Sequence, residues 1–380
     1  MVQQLTLFPN ALTRRRALPV IGEQKDIRYH ATRAREILNG PGTTGFDGFW
    51  SINPYVGCAF GCAYCYARYA HRYALERALA ADPLDQALHE TARTLPPWLA
   101  FERAILVKRN AAAVLQRTLW YGADRHRDLA RGHHIVIGTA TDPYQPAERR
   151  FRITRGLLEV LANHADLHVV IITKSPLVTR DADLLARLAR RSSVEVHMSL
   201  ITVDRELARR IEPRAPTPEA RLRAVARLHA AGVRVRVNAM PVLPGITDRP
   251  AQLEALVAGV AAAGADAMVV GSLSLHATAR QRYLLFIARE FPALAARYRA
   301  TFARCHAMGP RYRHGLTACV RELCARYGLA LGNDETDAAP VRYGAEAADQ
   351  TPSRAARRAQ YPASEISTSS ARPSAPCSDA

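Results

Sequence analysis

Three cysteines lie close together in the segment NPYVGCAFGCAYCYA, which covers residues 53–67. Cys58, Cys62 and Cys65 have the spacing C-x3-C-x2-C, which can bring three thiolates to one compact site. Structural zinc sites normally have four protein ligands, whereas a [4Fe–4S] cluster held by three cysteines can present its remaining iron to a small molecule. The spacing favours such a cluster. A zinc site with a distant fourth ligand and coincidental core cysteines are the alternatives.

A second group of polar residues lies further along the chain, in the segment GTATDPYQPAERR at 138–150. Asp142 precedes Pro143, which predicts a fixed carboxylate on a turn. It can accept a hydrogen bond from a cofactor amino group, or it can simply stabilise the turn. Lys174 is one of three lysines in a chain with 52 basic residues, which suggests that a compact ammonium is needed there. A cofactor carboxylate is its natural partner.

The elements that must position these residues follow a regular alternation. Short β-branched runs predict six strands, at 50–55, 133–140, 168–173, 194–200, 233–240 and 267–273. Amphipathic segments predict helices between them, at 154–165, 181–191, 219–231 and 252–263. This order predicts an α/β fold with a parallel sheet, right-handed crossovers and the curvature of a partial barrel.

The flanking segments divide the chain into further parts. We expect an N-terminal extension at 1–45, a barrel at 46–275 and a C-terminal helical extension at 276–333, with helices at 277–290, 294–307 and 316–327. An insertion at about 69–132 carries a strand at 105–108 and a helix at 111–120. Residues 334–380 contain few large apolar side chains, which predicts a disordered tail.

The polar segments all follow predicted strands, and the carboxyl ends of parallel barrel strands form active sites. The pairing of NPYxGCxxGCxYCYA with GTxTDPYQPAERR closely resembles the spore photoproduct lyase-like branch of the radical S-adenosylmethionine (radical SAM) superfamily, over about residues 48–275. The resemblance implies a partial (β/α)6 TIM-like barrel and a [4Fe–4S] cluster on Cys58, Cys62 and Cys65. It also implies that an electron, from a donor such as flavodoxin or ferredoxin, splits S-adenosylmethionine into methionine and a 5′-deoxyadenosyl radical that abstracts hydrogen.

The same resemblance implies roles for five further residues. Thr141, Lys174 and Ser199 match positions that contact the cofactor. Tyr64 is expected to pack over the adenine or to shield the cluster, and Tyr66 matches a tyrosine that relays hydrogen in the photoproduct lyases.

One position departs from the lyase pattern. The true lyases carry a hydrogen-donating cysteine at the end of the second barrel strand, where this chain has Thr139, and no cysteine occurs between Cys65 and Cys305. A hydroxyl is a far poorer hydrogen-atom donor than a thiol. We therefore expect no efficient thymine-dimer repair by the lyase mechanism.

The remaining cysteines leave a question about a second metal. Cys305, Cys319 and Cys324 could hold an auxiliary cluster or metal, but their x13 and x4 spacings match no common ligand pattern. Helical cysteines are commonly small buried apolar groups, which is the interpretation we favour.

Composition limits the partners and the compartment. The formal net charge is +18, which is typical of proteins that contact nucleic acid but also fits a solvated, arginine-rich surface. With no apolar run of about 18 residues, no secretory signal and too few cysteines for a disulfide framework, we expect a cytoplasmic protein without a membrane segment.

Three functions remain open on these grounds. The leading hypothesis is a radical SAM enzyme acting on a nucleobase, nucleotide or nucleic acid. The alternatives are a zinc-containing nucleic-acid-binding protein without turnover and an enzyme that uses S-adenosylmethionine for group transfer.

Overall fold

The structure is a computed structural model. It describes residues 20–24, 26–41, 48–68, 95–121, 129 and 133–332. The predicted disordered tail, the first part of the predicted N-terminal extension and residues 69–94 of the predicted insertion lie outside the described residues.

Twelve strands are formed within the described residues. They are β1 Val20–Gln24, β2 Ile27–Thr32, β3 Leu38–Asn39, β4 Phe49–Ile52, β5 Tyr55–Val56, β6 Ala104–Lys108, β7 His134–Ile137, β8 His168–Thr173, β9 Ser193–Ser199, β10 Arg234–Val242, β11 Ala267–Ser272 and β12 Ala330–Leu331.

The helices of the described residues lie mostly between strands of one sheet. They are α1 Pro97–Arg103, α2 Ala111–Tyr121, α3 Pro146–Phe151, α4 Ile153–Leu161, α5 Ala182–Ala189, α6 Arg205–Ile211, α7 Pro218–Ala230, α8 Pro250–Ala262, α9 Ala277–Glu290, α10 Ala295–Thr301 and α11 Pro310–Arg326, with 3-10 turns at Pro176–Asp181 and Pro292–Leu294.

The main sheet has eight strands in the order β3-β4-β7-β8-β9-β10-β11-β12. All neighbours from β4 to β12 are parallel, and only β3 and β4 are antiparallel. The six predicted strands correspond to β4 and β7–β11, and they pair in sequence order as right-handed crossovers require. The predicted α/β fold with an open parallel sheet is confirmed.

Successive side chains of a strand point to opposite faces of the sheet, and the face with the apolar side chains packs against the helices. Val235, Val237 and Ala239 of β10 are fully buried in the main core, together with helix residues such as Leu228 and Leu256. Each fully buried aliphatic side chain contributes about 1.5–3 kcal/mol of hydrophobic stabilisation. The residues between them face the other way, into the concave side of the sheet. We call this concave side the lumen.

A second, four-stranded sheet has the order β1-β2-β6-β5. The hairpin of β1 and β2 pairs in parallel with β6, and β6 pairs antiparallel with β5. The sequence analysis predicted β6 but not this sheet, because β5 has only two residues and the sheet joins segments that are far apart in the chain. The described part of the predicted insertion thus contributes α1, β6 and α2 beside the cysteine segment.

Two C-terminal helices differ from their predicted bounds. The helix predicted at 294–307 ends at Thr301, and the helix predicted from 316 already begins at Pro310. Proline favours the first position of a helix, which explains the earlier start of α11. No helix among the described residues has the length and apolarity needed to cross a bilayer.

Candidate active site

The cysteine loop begins directly after β5 and is shaped by Gly57. This glycine has φ of +86°, and a Cβ there would lie 2.7 Å from the carbonyl oxygen of Phe101. Only glycine accommodates both the positive φ and the close approach. The next residue uses that same carbonyl, since the Cys58 N–H donates to it at 2.9 Å. Helix α1 therefore supports the start of the loop.

The segment at 138–150, which follows β7, is bonded to the cysteine loop through Gln145, which is fully buried. Its Oε1 accepts from the Ala59 N–H at 2.9 Å, and its Nε2 donates to the Gly57 carbonyl at 3.1 Å and to the Thr141 hydroxyl oxygen at 3.0 Å. Thr141 in turn donates to the Gly57 carbonyl at 2.6 Å. The loop after β7 and the cysteine loop thus form one unit.

The second motif also needs a glycine at its first position. Gly138 has φ of +100°, and a Cβ there would lie 2.6 Å from both the Ile172 carbonyl oxygen and Pro143 Cδ. This close packing places the turn at the end of β7 against the end of β8.

The three thiols of the cysteine loop lie close together. Cys58 and Cys62 are buried and Cys65 is half-buried. Burial raises the pKa of all three thiols, that of Cys62 to about 12, and the neighbouring thiols raise the pKa of Cys58 further. Without a metal, burial favours the protonated form of these groups.

The donor set fits an iron–sulfur cluster. In the described part of the chain, no group of three or more His, Cys, Asp and Glu side chains is arranged to hold a single metal ion. A three-cysteine [4Fe–4S] cluster attaches each thiolate to a different iron, so its ligands need not converge on one point. Three soft thiolates in one buried loop are the ligands that such a cluster takes.

An ionic network outside the loop fixes its carbonyl groups. Arg68 is fully buried, donates to the Cys62 carbonyl at 2.6 Å and pairs with Glu102 at 2.7 Å. Arg214 donates to the Ala59 carbonyl at 2.6 Å and also pairs with Glu102 at 2.7 Å. Sequence reasoning missed all three residues, because their role depends on contacts between distant segments.

A second buried network connects the cysteine loop to β9. The Tyr64 hydroxyl donates to Glu212, Glu212 pairs with Arg221 at 2.5 Å, and Arg221 donates to the Ser199 carbonyl at 3.0 Å. Burial opposes the charge of Glu212, yet Arg221 and Lys174 lower its pKa overall. Thr217 caps the start of α7, and this helix start places Arg221 in the network.

Lys174 lies at the end of β8 beside this network. Its Nζ lies 5.6 Å from the centroid of the Tyr64 ring, within the range of a cation–π contact. Burial lowers its pKa, but the negative charges of Cys62, in its thiolate form, and of the Glu212 carboxylate raise it overall. The ammonium is therefore charged and lies close to the cysteine loop.

Asp142 ties the loop after β7 to the end of β8. One oxygen accepts from the Tyr144 N–H at 2.9 Å and from the Thr173 hydroxyl at 2.7 Å, and the other accepts from the Lys174 N–H at 2.8 Å. Burial raises the pKa of Asp142 in spite of these bonds. The turn-stabilising role considered for this carboxylate is present in the structure, and its Oδ2 accepts one hydrogen bond where a carboxylate oxygen can accept two.

Tyr66 lies where the cysteine loop meets the lumen. Its hydroxyl donates to the Thr139 carbonyl at 2.5 Å, and its ring packs against the lumen residues Phe49 and Val136. Asn53 donates to the Thr139 hydroxyl at 2.9 Å. Tyr66, the residue expected to relay hydrogen, and Thr139, which occupies the position of the lyases' hydrogen-donating cysteine in the resemblance, are thus direct neighbours.

The C-terminal cysteines lie elsewhere. Cys319 and Cys324 are on α11 and pack with the main core, whereas Cys58 and Cys62 belong to a separate apolar cluster with residues of α9 and α10. Burial raises the pKa of Cys324 to about 11, as expected for a small core side chain.

Comparisons with known proteins identify the family of this chain. The sequence model of the Radical SAM superfamily matches residues 52–256. An uncharacterized protein of Mycobacterium tuberculosis is 35% identical over 320 residues, which cover 83% of this chain and 86% of that protein. An uncharacterized protein of Methanocaldococcus jannaschii is 28% identical over 201 residues, which cover 52% of this chain and 61% of that protein.

The fold is also similar to solved structures. A spore photoproduct lyase variant with bound AdoMet and dinucleoside spore photoproduct aligns with a TM-score of 0.57 at 14% identity, over 84% of this chain and 87% of that chain. At this identity the likeness shows the fold, which agrees with the predicted TIM-like partial barrel. The cysteine loop, the family match and the close mycobacterial relative together show that this chain belongs to the radical SAM superfamily, whose enzymes use a [4Fe–4S] cluster and S-adenosylmethionine.

Proposed function

We propose that this enzyme forms a 5′-deoxyadenosyl radical at the cysteine loop and uses it to abstract hydrogen from a substrate held in the lumen. One observation carries the proposal: the buried Gln145 joins the cysteine loop to the loop after β7 at the carboxyl ends of the parallel strands. This edge is where barrel enzymes place their chemistry. When bound, the cluster supplies the electron that splits the cofactor.

The chain's own residues have separate tasks in this proposal. Cys58, Cys62 and Cys65 bind the cluster, and the Arg68 and Arg214 network keeps their loop in place. The loop carbonyls are then already paired with guanidinium groups, so the thiols can bind iron without a rearrangement of the backbone.

The cofactor is held by groups at the ends of β7, β8 and β9. We assign Lys174 to the cofactor carboxylate, because it is a charged ammonium directly beside the cysteine loop. Asp142 has a free acceptor position for the amino group, and Ser199 lies at the end of the neighbouring strand β9. Tyr64 flanks the cluster. Thr141 positions the cysteine loop as well as contacting the cofactor, because its hydroxyl donates to the Gly57 carbonyl.

Tyr66 is the residue we assign to hydrogen transfer. It bridges the cysteine loop and the lumen, and its hydroxyl is bonded to the Thr139 carbonyl. Thr139 itself offers no thiol, so this assignment does not include the hydrogen-donating step of the photoproduct lyases.

A nucleobase, nucleotide or nucleic acid is the substrate class that the charge supports. Residues 277–332, which form α9–α11, contain ten arginines and only two carboxylates, Glu290 and Glu322. Arg304, Arg311 and Arg313 are exposed there, and α9 and α10 pack beside the cysteine loop. Such a surface attracts phosphates. We assign the barrel to 46–275 and this basic extension to 276–333.

An external reductant must supply the electron, as in other enzymes of the superfamily. A small electron carrier such as flavodoxin or ferredoxin suits this task. The basic surface of α9–α11 would attract such a carrier if its own surface is acidic.

Product analysis tests the proposed reaction. The reconstituted, reduced protein is incubated with S-adenosylmethionine without oxygen, and the nucleoside products are separated. We expect 5′-deoxyadenosine, formed slowly without substrate. S-adenosylhomocysteine or 5′-methylthioadenosine as the main product would instead indicate methyl or aminocarboxypropyl transfer and would overturn the proposal.

A further inference from the structure

A polar cluster lies in the lumen, below the residues assigned to the cofactor. It consists of His134 on β7, His168 on β8, Glu195 and His197 on β9, and Arg236 on β10, and we call it the lumen cluster. Closed barrels usually fill this region with branched apolar side chains. Here it is occupied by three imidazoles and an ion pair.

The alternation of β9 shows that these side chains face the lumen. Val194 and Val196 are buried in the main core with the helices. Glu195 and His197 therefore point to the opposite face. Both keep some contact with solvent, with side chains 13% and 18% exposed, so the lumen is accessible at this depth.

Glu195 is already neutralised by its neighbours. Its carboxylate lies 2.9 Å from Arg236 Nε, 3.1 Å from Arg234 NH2 and 3.2 Å from His197 Nε2. Burial opposes its charge, but His197 and Arg236 lower its pKa to about 2. One carboxylate thus faces two guanidinium groups, which leaves an excess of positive charge.

The imidazoles of His134 and His168 contact each other but not the Glu195 carboxylate. The rings of His134 and His168 lie 5.5 Å apart, and both are half-buried. Neither makes a hydrogen bond within the described ranges of the chain. Burial lowers the pKa of His134, and His168, His197 and Arg236 lower it further against the effect of Glu195. The two guanidinium groups that face one carboxylate make this part of the lumen electropositive, and neither imidazole has an acceptor among the described residues.

The lumen cluster extends along the strands toward the cofactor residues. Ser199 and Asn238 are paired neighbours on β9 and β10, and each lies two residues beyond a member of the lumen cluster, a span of about 6.6 Å. The two free imidazoles are deeper, because His134 is paired with His168 and His168 with Ser193, six residues or about 20 Å along the strand from Ser199. Among the described residues the buried Oδ1 of Asn238 has no hydrogen-bond partner, and Tyr66 packs against the same lumen face.

We propose that the lumen cluster binds the anionic group of the substrate, a phosphate or a carboxylate, and so directs the rest of the substrate along the lumen toward the cofactor site. The inference rests on the proposed function, because it assumes that the substrate reacts at the cysteine loop. A mononucleotide bound in this way has its phosphate on the lumen cluster and its base or sugar toward Tyr66, which packs against Val136, two residues beyond His134. An anion there offsets the excess positive charge and accepts from the free imidazoles.

Calorimetry on the reconstituted protein tests this inference. The probes are inorganic phosphate, acetate, thymidine 5′-monophosphate and thymidine, at about 0.15 M salt so that surface arginines are screened. We expect saturable binding of phosphate or acetate, and at least about tenfold tighter binding of the mononucleotide than of the nucleoside. Phosphate without acetate binding identifies a phosphate site, and the reverse identifies a carboxylate site.

Variants locate the site within the lumen. The double variant His134→Gln, His168→Gln should bind the anion at least about tenfold more weakly, whereas His229→Gln, on the exposed side of α7, should bind like wild type. If the double variant fails to fold, the single variant His168→Gln is measured instead and should also bind the anion more weakly than wild type. Equal anion binding by the lumen variant and wild type, or no saturable anion binding by wild type, would overturn the inference. The formation of 5′-deoxyadenosine by the wild-type protein, measured on the same sample, tests the proposed function separately.

Discussion

The hydroxyl of Tyr64 donates to the carboxylate of Glu212, and this bond connects the cysteine loop to the segment that follows α6. Glu212 is also the partner of the buried Arg221, which holds the Ser199 carbonyl at the end of β9. A single carboxylate therefore couples the loop that carries the thiols to the strand end that faces them. Neither residue of the ion pair is exposed by more than 2%.

Removal of this carboxylate should destabilise the fold. Glu212→Ala leaves Arg221 as an uncompensated buried charge, which costs about 3–5 kcal/mol in free energy of unfolding. Glu212→Gln keeps one acceptor oxygen for Arg221 and the volume of the side chain, and should cost less. Urea unfolding without oxygen measures both. Glu290→Ala removes an exposed pair and should change stability by less than about 1 kcal/mol. Equal effects of Glu212→Ala and Glu290→Ala would show that the buried network does not support the site.

Gln145→Ala should reduce the iron bound after reconstitution. The substitution leaves the Ala59 N–H without its acceptor and removes one of the two side-chain donors to the Gly57 carbonyl, at about 1–3 kcal/mol for the buried groups. The cysteine loop then samples conformations in which the thiols are apart. Iron per chain is the readout, and Gln116→Ala on the exposed side of α2 is the matched control. Wild-type iron content in Gln145→Ala would remove Gln145 from the account of loop positioning.

Lys174→Ala should weaken the binding of S-adenosylmethionine by about ten- to a hundredfold. The reason is the loss of a charge-assisted contact of about 1.5–3 kcal/mol. Lys174→Arg keeps the charge but not the compact geometry and should recover only part of the affinity. Equilibrium binding to the reconstituted protein measures these changes, with Arg190→Ala on the surface beside α5 as the control. Unchanged affinity in Lys174→Ala would exclude the contact.

Because residue 139 is a threonine, we expect that the protein does not repair spore photoproduct at the rate of a true lyase. The residue has a hydroxyl where the lyases have a thiol, and it lies beside Tyr66. Anaerobic incubation with a dinucleoside photoproduct, followed by chromatography, measures repair. Thr139→Cys should increase any repair, whereas Thr202→Cys, in the loop after β9, should not. Efficient turnover by the wild-type protein would contradict the prediction.

The barrel strands could be predicted from the sequence because their signal is local. The run HVVIIT forms β8 at the predicted bounds, 168–173, since a buried parallel strand needs a short β-branched segment and little else. The hairpin of β1 and β2 and its pairing with β6 could not be predicted in this way. That sheet depends on contacts between segments that lie far apart in the chain.

The residues of the site also differ in whether a short sequence motif or a contact between distant segments reveals their role. Cysteine spacing indicated the thiols, the scarcity of lysine indicated Lys174, and the family resemblance indicated Ser199. Gln145 was visible within the motif, but its role became evident only from its bonds to Gly57 and Ala59. Glu212 and Arg221 had no local signal, because a buried ion pair is defined by the residues that exclude water from it.

Iron and absorption measurements on cysteine variants test the central claim most directly. After anaerobic reconstitution, the wild-type protein should be brown and hold about four irons per chain. The triple variant Cys58→Ala, Cys62→Ala, Cys65→Ala should hold none, because it lacks all three protein ligands. The control Cys319→Ala, Cys324→Ala should keep the full iron content and absorption. A triple variant that retains the iron and the charge-transfer absorption of wild type, or a colourless wild-type protein that holds zinc, would contradict the account.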